Sequence, residues 1–362
     1  MSEKYFIDDV SDLLQIKKGR RDFIRKIALG SAGTAFGSLI SGYPGVTEAA
    51  SVNDGNSTVS FVTGTDRREM MHQVLKPLEN EIKNGIKGKK VVIKPNLVGN
   101  ETITGVTHPD AVRGVLDFLK PIYKGKVQIA ESTGRQYPDM PGTLKHYNIY
   151  GYEPLVKEYG VELVDLNARP FINQWVLSAD GHPLDIRVID TFLDPDTYII
   201  SLCRPKSHNC MVVTITAKNM LMGCPLTDKQ RHDKGRMHSG GNKKLNFNLF
   251  LLAQKVRPSL AVVDGLEGME GNGPMAGTAI KHGIALAGTD FVAVDRIGCD
   301  LMGVDFADVG YLTYCSNAGI GNGDLSKIQV IGGDPSKHVM KYKMHDNFFG
   351  GEGREGHLSW KE

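Results

Sequence analysis

The strongest constraint on the fold is an alternation of two periodicities along the chain. Short apolar runs rich in β-branched residues recur at Val59–Val62, Val91–Lys94, Val127–Ala130, Val161–Asp165, Tyr198–Leu202, Leu260–Val263, Gly283–Ala287 and Ile328–Ile331. Between them lie segments with helical spacing of apolar positions: Arg67–Ile82, Ala111–Tyr123, Glu153–Tyr159, Leu245–Val256 and Phe291–Met302. Strands too apolar to have a wet face, interleaved with helices, predict an α/β fold with a mainly parallel sheet and helices on both faces. One stretch breaks the pattern. Trp175-Val176-Leu177, Asp180-Gly181 and Ile186-Arg187-Val188 predict an antiparallel hairpin within Phe171 to Thr191, inserted in the α/β series.

The first fifty residues are of another kind. A polar stretch, Met1 to Lys18, leads into Gly19-Arg20-Arg21-Asp22-Phe23-Ile24-Arg25-Lys26, which resembles a twin-arginine export motif. The apolar run Ile27 to Ile40 is diluted by Gly30, Gly33 and Gly37. Its length, roughly 14 residues, suits a signal peptide and falls short of the ~20 that span a bilayer. Tyr43-Pro44-Gly45 then breaks any helix, and Thr47-Glu48-Ala49 offers small residues to a signal peptidase. Residues 1–50 are therefore expected to be a signal read by the twin-arginine translocation machinery, giving a periplasmic or otherwise extracytoplasmic protein. The alternative is an amphipathic N-terminal helix of a cytosolic protein. Residues 51–335 are expected to form a single α/β domain. Residues 336–362, with Phe348-Phe349 and Trp360, form a tail that packs on the domain or on a neighbour.

Composition narrows the function. A hydrophobic content of 41% and a charged content of 23% are ordinary for a globular chain. A net charge of +2 indicates neither a nucleic-acid footprint nor a strongly acidic surface. No second apolar run is long enough for a stable membrane span. Five cysteines, Cys203, Cys210, Cys224, Cys299 and Cys315, show no iron–sulfur or zinc spacing, and their odd number in a long chain excludes a disulfide scaffold.

In open parallel sheets, ligands bind outside the carboxyl ends of the strands. Here the second strand ends at Lys94-Pro95-Asn96, the third runs into Glu131-Ser132, the fifth leads to Lys206-Ser207-His208, and the sixth delivers Asp264-Gly265. Taken singly, each has an ordinary explanation: a Lys-Pro-Asn turn, a helix cap at Glu131, a turn at Asp264. Four strands delivering ionisable groups to one rim define a candidate site. Lys218 and Asn219 follow on a short helical stretch ending at Gly223. The polar segment from Asp228 to Asn242, with His232, Lys234, Arg236 and His238, is either an exposed mobile loop or a lid that brings His238 over the site. The glycine-rich run from Gly265 through Gly273-Pro274 is expected to be a loop that points backbone N–H groups at an anion. It has neither Walker nor dinucleotide spacing.

Lys94-Pro95-Asn96, Thr107 with Pro109, Glu131-Ser132, Lys206-Ser207-His208, Lys218-Asn219 with Gly223, Asp264-Gly265 with Gly273-Pro274, and Asp290 with Ala293-Val294-Asp295 together resemble the family catalogued as domain of unknown function 362. The resemblance runs over about Lys90 to Ile331. It implies a shared site at these positions and no particular activity. Some members carry an attached ferredoxin-like iron–sulfur module, whose cysteine motifs this chain lacks.

Two functions fit these residues. In the first, the protein is an enzyme acting on a small anionic substrate. Lys94, Lys206 and Lys218 bind charge, His208 is the general acid–base, and Glu131 and Asp264 orient it or supply a second proton. Asn96, Asn219, Gly265 and Gly273 complete the ligand contacts. A metal-assisted variant uses Glu131, His208, His238 and Asp264 as ligands to a divalent ion. Proton abstraction beside a carboxylate, as in racemases and epimerases, suits either form. In the second function, the same groups clamp a ligand or cofactor without turnover.

Overall fold

In a computed structural model, the structure describes residues 55–98, 103–133, 142–351 and 355–362; the twin-arginine segment lies outside them. The chain from Val52 to Glu362 forms one compact unit. Its first part contains β1 (Ser57–Thr63), α1 (Arg67–Leu75), α2 (Glu79–Gly85), β2 (Lys90–Lys94), α3 (Pro109–Leu119), β3 (Gln128–Glu131), α4 (Thr143–Ile149), α5 (Glu153–Tyr159) and β4 (Glu162–Asp165). The hairpin strands β5 (Phe171–Leu177) and β6 (Pro183–Ile189) follow, then β7 (Thr197–Cys203), β8 (Lys206–His208) and β9 (Val212–Thr214). The remainder contains α6 (Thr216–Leu221), α7 (Asp233–Met237), α8 (Gly241–Ala253), β10 (Leu260–Glu270), β11 (Thr278–Gly288), α9 (Phe291–Leu301), α10 (Gly310–Asn317) and β12 (Ile328–Ile331).

The main sheet has the order β12-β1-β11-β10-β7-β2-β3-β4, with β8 and β9 attached beside β10. Its neighbours are parallel except around β11, which runs antiparallel to both β1 and β10. The α/β reading holds, and the hairpin β5–β6 forms its own two-stranded antiparallel sheet.

Alternation along each strand divides the core in two. Val92, Ile199 and Val263 face one cluster with side chains of α6, α8, α9 and α10. Val91, Ile93, Ile200 and Val262 face the other, with side chains of α1, α2, α3 and α5. The expected helix from Arg67 to Ile82 is interrupted at Lys76–Leu78 by a 3₁₀ turn containing Pro77, which lacks the N–H a continuous helix requires. Helix α3 starts where Pro109 needs no N–H partner and the His108 ring accepts from the Asp110 N–H at 3.1 Å. Asp290 caps α9 by accepting from the N–H groups of Val292 and Ala293, a contact of about 1 kcal/mol.

The glycine-rich run is not a loop over most of its length. β10 continues to Glu270, pairs with β11, and irregularity is confined to the register shift between Gly265 and Glu267. Glycine is present there for close packing: a Cβ on Gly265 would lie 2.8 Å from the Ile284 carbonyl oxygen, and one on Gly268 would lie 2.2 Å from the Tyr342 hydroxyl. Tyr342 belongs to the C-terminal segment, which packs on the domain. The Met340 N–H donates to the Leu301 carbonyl, the Asn242 N–H to Glu355, and the Trp360 indole to the Asp308 carbonyl at 3.0 Å.

Candidate functional site

Lys94 ends β2 on the α6 side of the sheet and is 1% exposed. Its ammonium donates to Glu131 at 2.8 Å, the Pro95 carbonyl at 2.8 Å and Asn219 at 2.9 Å. Three donors meet three oxygens, so Lys94 is saturated within the protein. Glu131, at the end of β3, also accepts from the N–H groups of Leu97 and Ser132. Gly223 makes room for this pair, since a Cβ there would lie 2.0 Å from Lys94 Cε.

The network continues through Asn96, whose amide N–H₂ donates to Asn219 Oδ1 at 2.9 Å and whose oxygen accepts from Lys206 Nζ at 2.5 Å. Lys206 also donates to the Gly105 carbonyl at 2.6 Å. Thr107 fixes the Asn96 backbone by accepting from its N–H while donating to the Leu202 carbonyl. On the other flank Ser132 donates to the Gly223 carbonyl, and Lys234 donates to both oxygens of Ser132. Lys206 and Lys234 thus each keep one ammonium N–H uncommitted among the described residues.

Four lysines are buried here: Lys94 and Lys206 at 1% exposure, Lys218 and Lys234 at 6%. Among the described residues only Lys94 has a carboxylate partner. Burial pushes Lys206 down to about 7, and Lys218 and Lys234 down to about 8, because a buried ammonium without a counter-charge is disfavoured.

His208 lies 2.9 Å from Lys218 through Nε2. Its Nδ1 accepts from the backbone N–H of Cys210 at 3.0 Å and of Met211 at 3.3 Å. Those two donors fix the neutral ring with its proton on Nε2. Burial, then the neighbouring charge of Lys218, holds the imidazole well below its ordinary range. The turn that supplies the donors closes at Val212, a β-branched residue with φ of 60°. Such a conformation costs about 1–3 kcal/mol and persists only where surrounding structure enforces it.

Hydrogen bonds thus bring together Lys94, Asn96, Glu131, Lys206 and Asn219, while His208 and Lys218 form a separate pair. Asp264, Gly265 and Gly273 do not join either. Asp264 pairs instead with Arg67 from α1 at 2.9 Å and makes no hydrogen bond to His208 or to the Lys94–Lys206 network among the described residues. Gly265 packs within β10. Gly273 approaches β8, where a Cβ would lie 2.2 Å from the Ser207 carbonyl oxygen, and it lines a cleft of about 330 Å³ with Asn209, Pro274 and Asp346. The metal set is not assembled. Among the described residues no three His, Cys, Asp or Glu side chains are placed to hold an ion; Glu131 is committed to Lys94 and Asp264 to Arg67. His238 is near enough for the charge of Lys218 to act on it, but its Nδ1 contacts the Lys234 carbonyl at 2.8 Å.

Two participants escape sequence reading. Lys234 belongs to the segment read as a mobile loop or lid, yet α7 inserts it against Ser132. Arg187 of the hairpin anchors that helix through Asp233 at 2.7 Å and the segment before it through Asp228 at 2.5 Å. Asp295 on α9 accepts from the N–H groups of Thr216 and Ala217 and from the Thr216 hydroxyl, fixing the start of α6. Burial pushes its carboxyl up to about 7 against the pull of those donors. Its spacing from Asp290 was a family feature without an assignable role. The cysteines are free thiols; Cys203, Cys224, Cys299 and Cys315 are buried, and burial pushes Cys224 up to about 12.

Residues 91–300 match the family described as domain of unknown function (DUF362), which covers more than half of the chain. The protein belongs to that family. A thylakoid-associated protein of Synechocystis sp. is 28% identical over 230 residues, covering 61% of this chain and 65% of its own length. The chain thus matches somewhat less than two thirds of that relative. A crystal structure of a Thermotoga maritima protein is similar at 13% identity with a TM-score of 0.36, covering 57% of this chain and 52% of the other.

Proposed function

We propose that the protein is an enzyme that binds a small anion against Lys206 and Lys234 and moves a proton on it with the Lys218–His208 pair. The carrying observation is the 2.9 Å contact between buried Lys218 Nζ and His208 Nε2, in a region with three further buried lysines of which Lys94 alone is bonded to a carboxylate. The unused N–H groups of Lys206 and Lys234 suit a carboxylate or phosphate oxygen. A lysine lowered to about 8 is a competent base near neutral pH, and neutral His208 is a hydrogen-bond donor beside it. Proton removal next to a carboxylate, as in isomerases and epimerases, is the reaction this pair supports best.

The test uses oxalate as the anion and solvent deuterium as the reporter. Oxalate titrated by calorimetry is expected to bind about tenfold or more weakly to Lys206→Met, which loses one charge-assisted contact. In heavy water, proton NMR of a panel of small 2-hydroxy and 2-oxo acids is expected to show exchange of the hydrogen beside the carbonyl or carboxylate. Lys218→Met should abolish it. Oxalate binding with no exchange on any member identifies a carrier and ends the enzyme reading.

Export by the twin-arginine route is part of the proposal. It is supported by Arg20-Arg21 ahead of a short apolar run and by the thylakoid association of a 28% identical relative. Replacing Arg20 and Arg21 together by lysine is expected to retain the protein in the cytoplasm. Unchanged fractionation would remove this part.

A further inference from the structure

Lys218 differs from the other buried lysines in what it touches. Lys94, Lys206 and Lys234 each donate to two or more fixed oxygens. Among the described residues the one polar partner of Lys218 Nζ is His208 Nε2. The protonation state follows from that contact. Two backbone N–H groups occupy the Nδ1 lone pair, so Nε2 carries the ring proton and points it at Lys218. An ammonium there would set donor against donor across 2.9 Å. A neutral amine accepts that proton with its lone pair and makes the contact a hydrogen bond. The strained backbone at Val212 closes the turn that imposes this tautomer, which is the kind of local strain that accompanies functional geometry. Burial lowers the basicity of Lys218, the direction that favours the free amine.

From this geometry we infer that Lys218 is a nucleophile that captures the carbonyl carbon of a small 2-oxo acid as an imine. The inference rests on the anion-binding reading above, which supplies the seat for the carboxylate at Lys206 and Lys234. The amine lone pair forms the C–N bond as the C=O π pair moves onto oxygen. His208 Nε2–H donates a hydrogen bond to that oxygen while its charge develops. Both amine protons end on the departing oxygen, which leaves as water, so the step needs neither oxidant nor reductant. An imine conjugated to a carboxylate makes the neighbouring C–H acidic, so in the covalent form Lys218 activates that C–H instead of acting as the base.

The experiment is reductive trapping of the whole protein with glyoxylate and cyanoborohydride at neutral pH, with the modified lysines located by peptide mass spectrometry. Lys337, whose side chain is 76% exposed, is the internal comparison. Lys218 is expected to be modified far faster, since its lowered pKa leaves about two orders of magnitude more free amine at neutral pH. Oxalate should suppress the adduct. Lys218→Arg should lose it while Lys337 still reacts slowly, and His208→Ala should slow trapping at Lys218. If Lys218 stays unmodified in protein that calorimetry shows to bind oxalate, the imine is overturned and the anion-binding function stands. If oxalate neither binds nor suppresses an adduct on Lys218, the anion-binding reading is the part that fails.

Discussion

Replacing Glu131 with Gln is expected to destabilise the domain by about 3–5 kcal/mol, because it removes one partner of a buried ion pair and leaves the other charge in place. Lys94 is 1% exposed and would keep the Pro95 carbonyl and the Asn219 oxygen as acceptors but lose the negative charge beside it. The carboxylate also serves the N–H groups of Leu97 and Ser132. A glutamine offers one oxygen to that set and turns an N–H₂ toward the rest. Urea unfolding measures the loss. The double variant Lys94→Met with Glu131→Leu should recover part of it, since no unpaired charge then remains. A single variant within about 1 kcal/mol of the parent would mean that Lys94 is not held as an ammonium. The pair also positions Asn219, and through it Asn96 and Lys206, so the same substitution should weaken oxalate binding in the fraction that remains folded.

That prediction bears on how much of the site was legible in the residues. Lys94, Glu131 and Lys206–His208 could be found because each directly follows an apolar run whose end the periodicity marks. What they do there was not legible. Lys94 reads as a catalytic or anion-binding group until its three donors are counted against three oxygens. The side of the sheet taken by Asp264 depends on register, and its capture by Arg67 depends on where α1 lies; neither leaves a local trace. Lys234 sits in a polar, glycine-containing segment whose burial depends on an anchor at Arg187, nearly fifty residues earlier. The eight apolar runs all lie in the main sheet. The short strand β8 leaves no such mark because Lys206-Ser207-His208 has no apolar alternation, and β10 runs past its expected end because its glycines mimic a loop. In both cases tertiary pairing overrides local propensity.

The second large effect is a stability that rises with pH just above neutrality. A lysine near 10.4 in the unfolded chain and lowered in the native protein binds fewer protons when folded. Stability therefore increases with pH from the folded value toward the unfolded one. Lys206 enters that window at about 7, and Lys218 and Lys234 enter at about 8. The histidines His108, His146 and His208, lowered from 6.5, have the same sign but act mainly below neutrality. Asp295, raised to about 7, has the opposite sign and acts between the unfolded carboxylate value and 7. Above about 8.5 the buried cysteines oppose the lysines, because their thiols ionise only on unfolding. Lysine behaviour is thus cleanest between roughly pH 7 and 8.5, where the three together supply on the order of 3 kcal/mol at about 1.4 kcal/mol per pH unit each. Chemical unfolding of ligand-free protein across that interval should show the rise, and Lys206→Met should remove the larger share of it. Oxalate should reverse the sign of the linkage: by restoring the ammonium forms it takes up protons, so its stabilising effect is expected to be greater at pH 7 than at pH 8.5. Calorimetry in two buffers of different ionisation enthalpy reads that uptake directly. Binding at pH 8 without proton uptake would show that Lys206 and Lys234 are already charged in the free protein, and the lysine linkage would fall with that result.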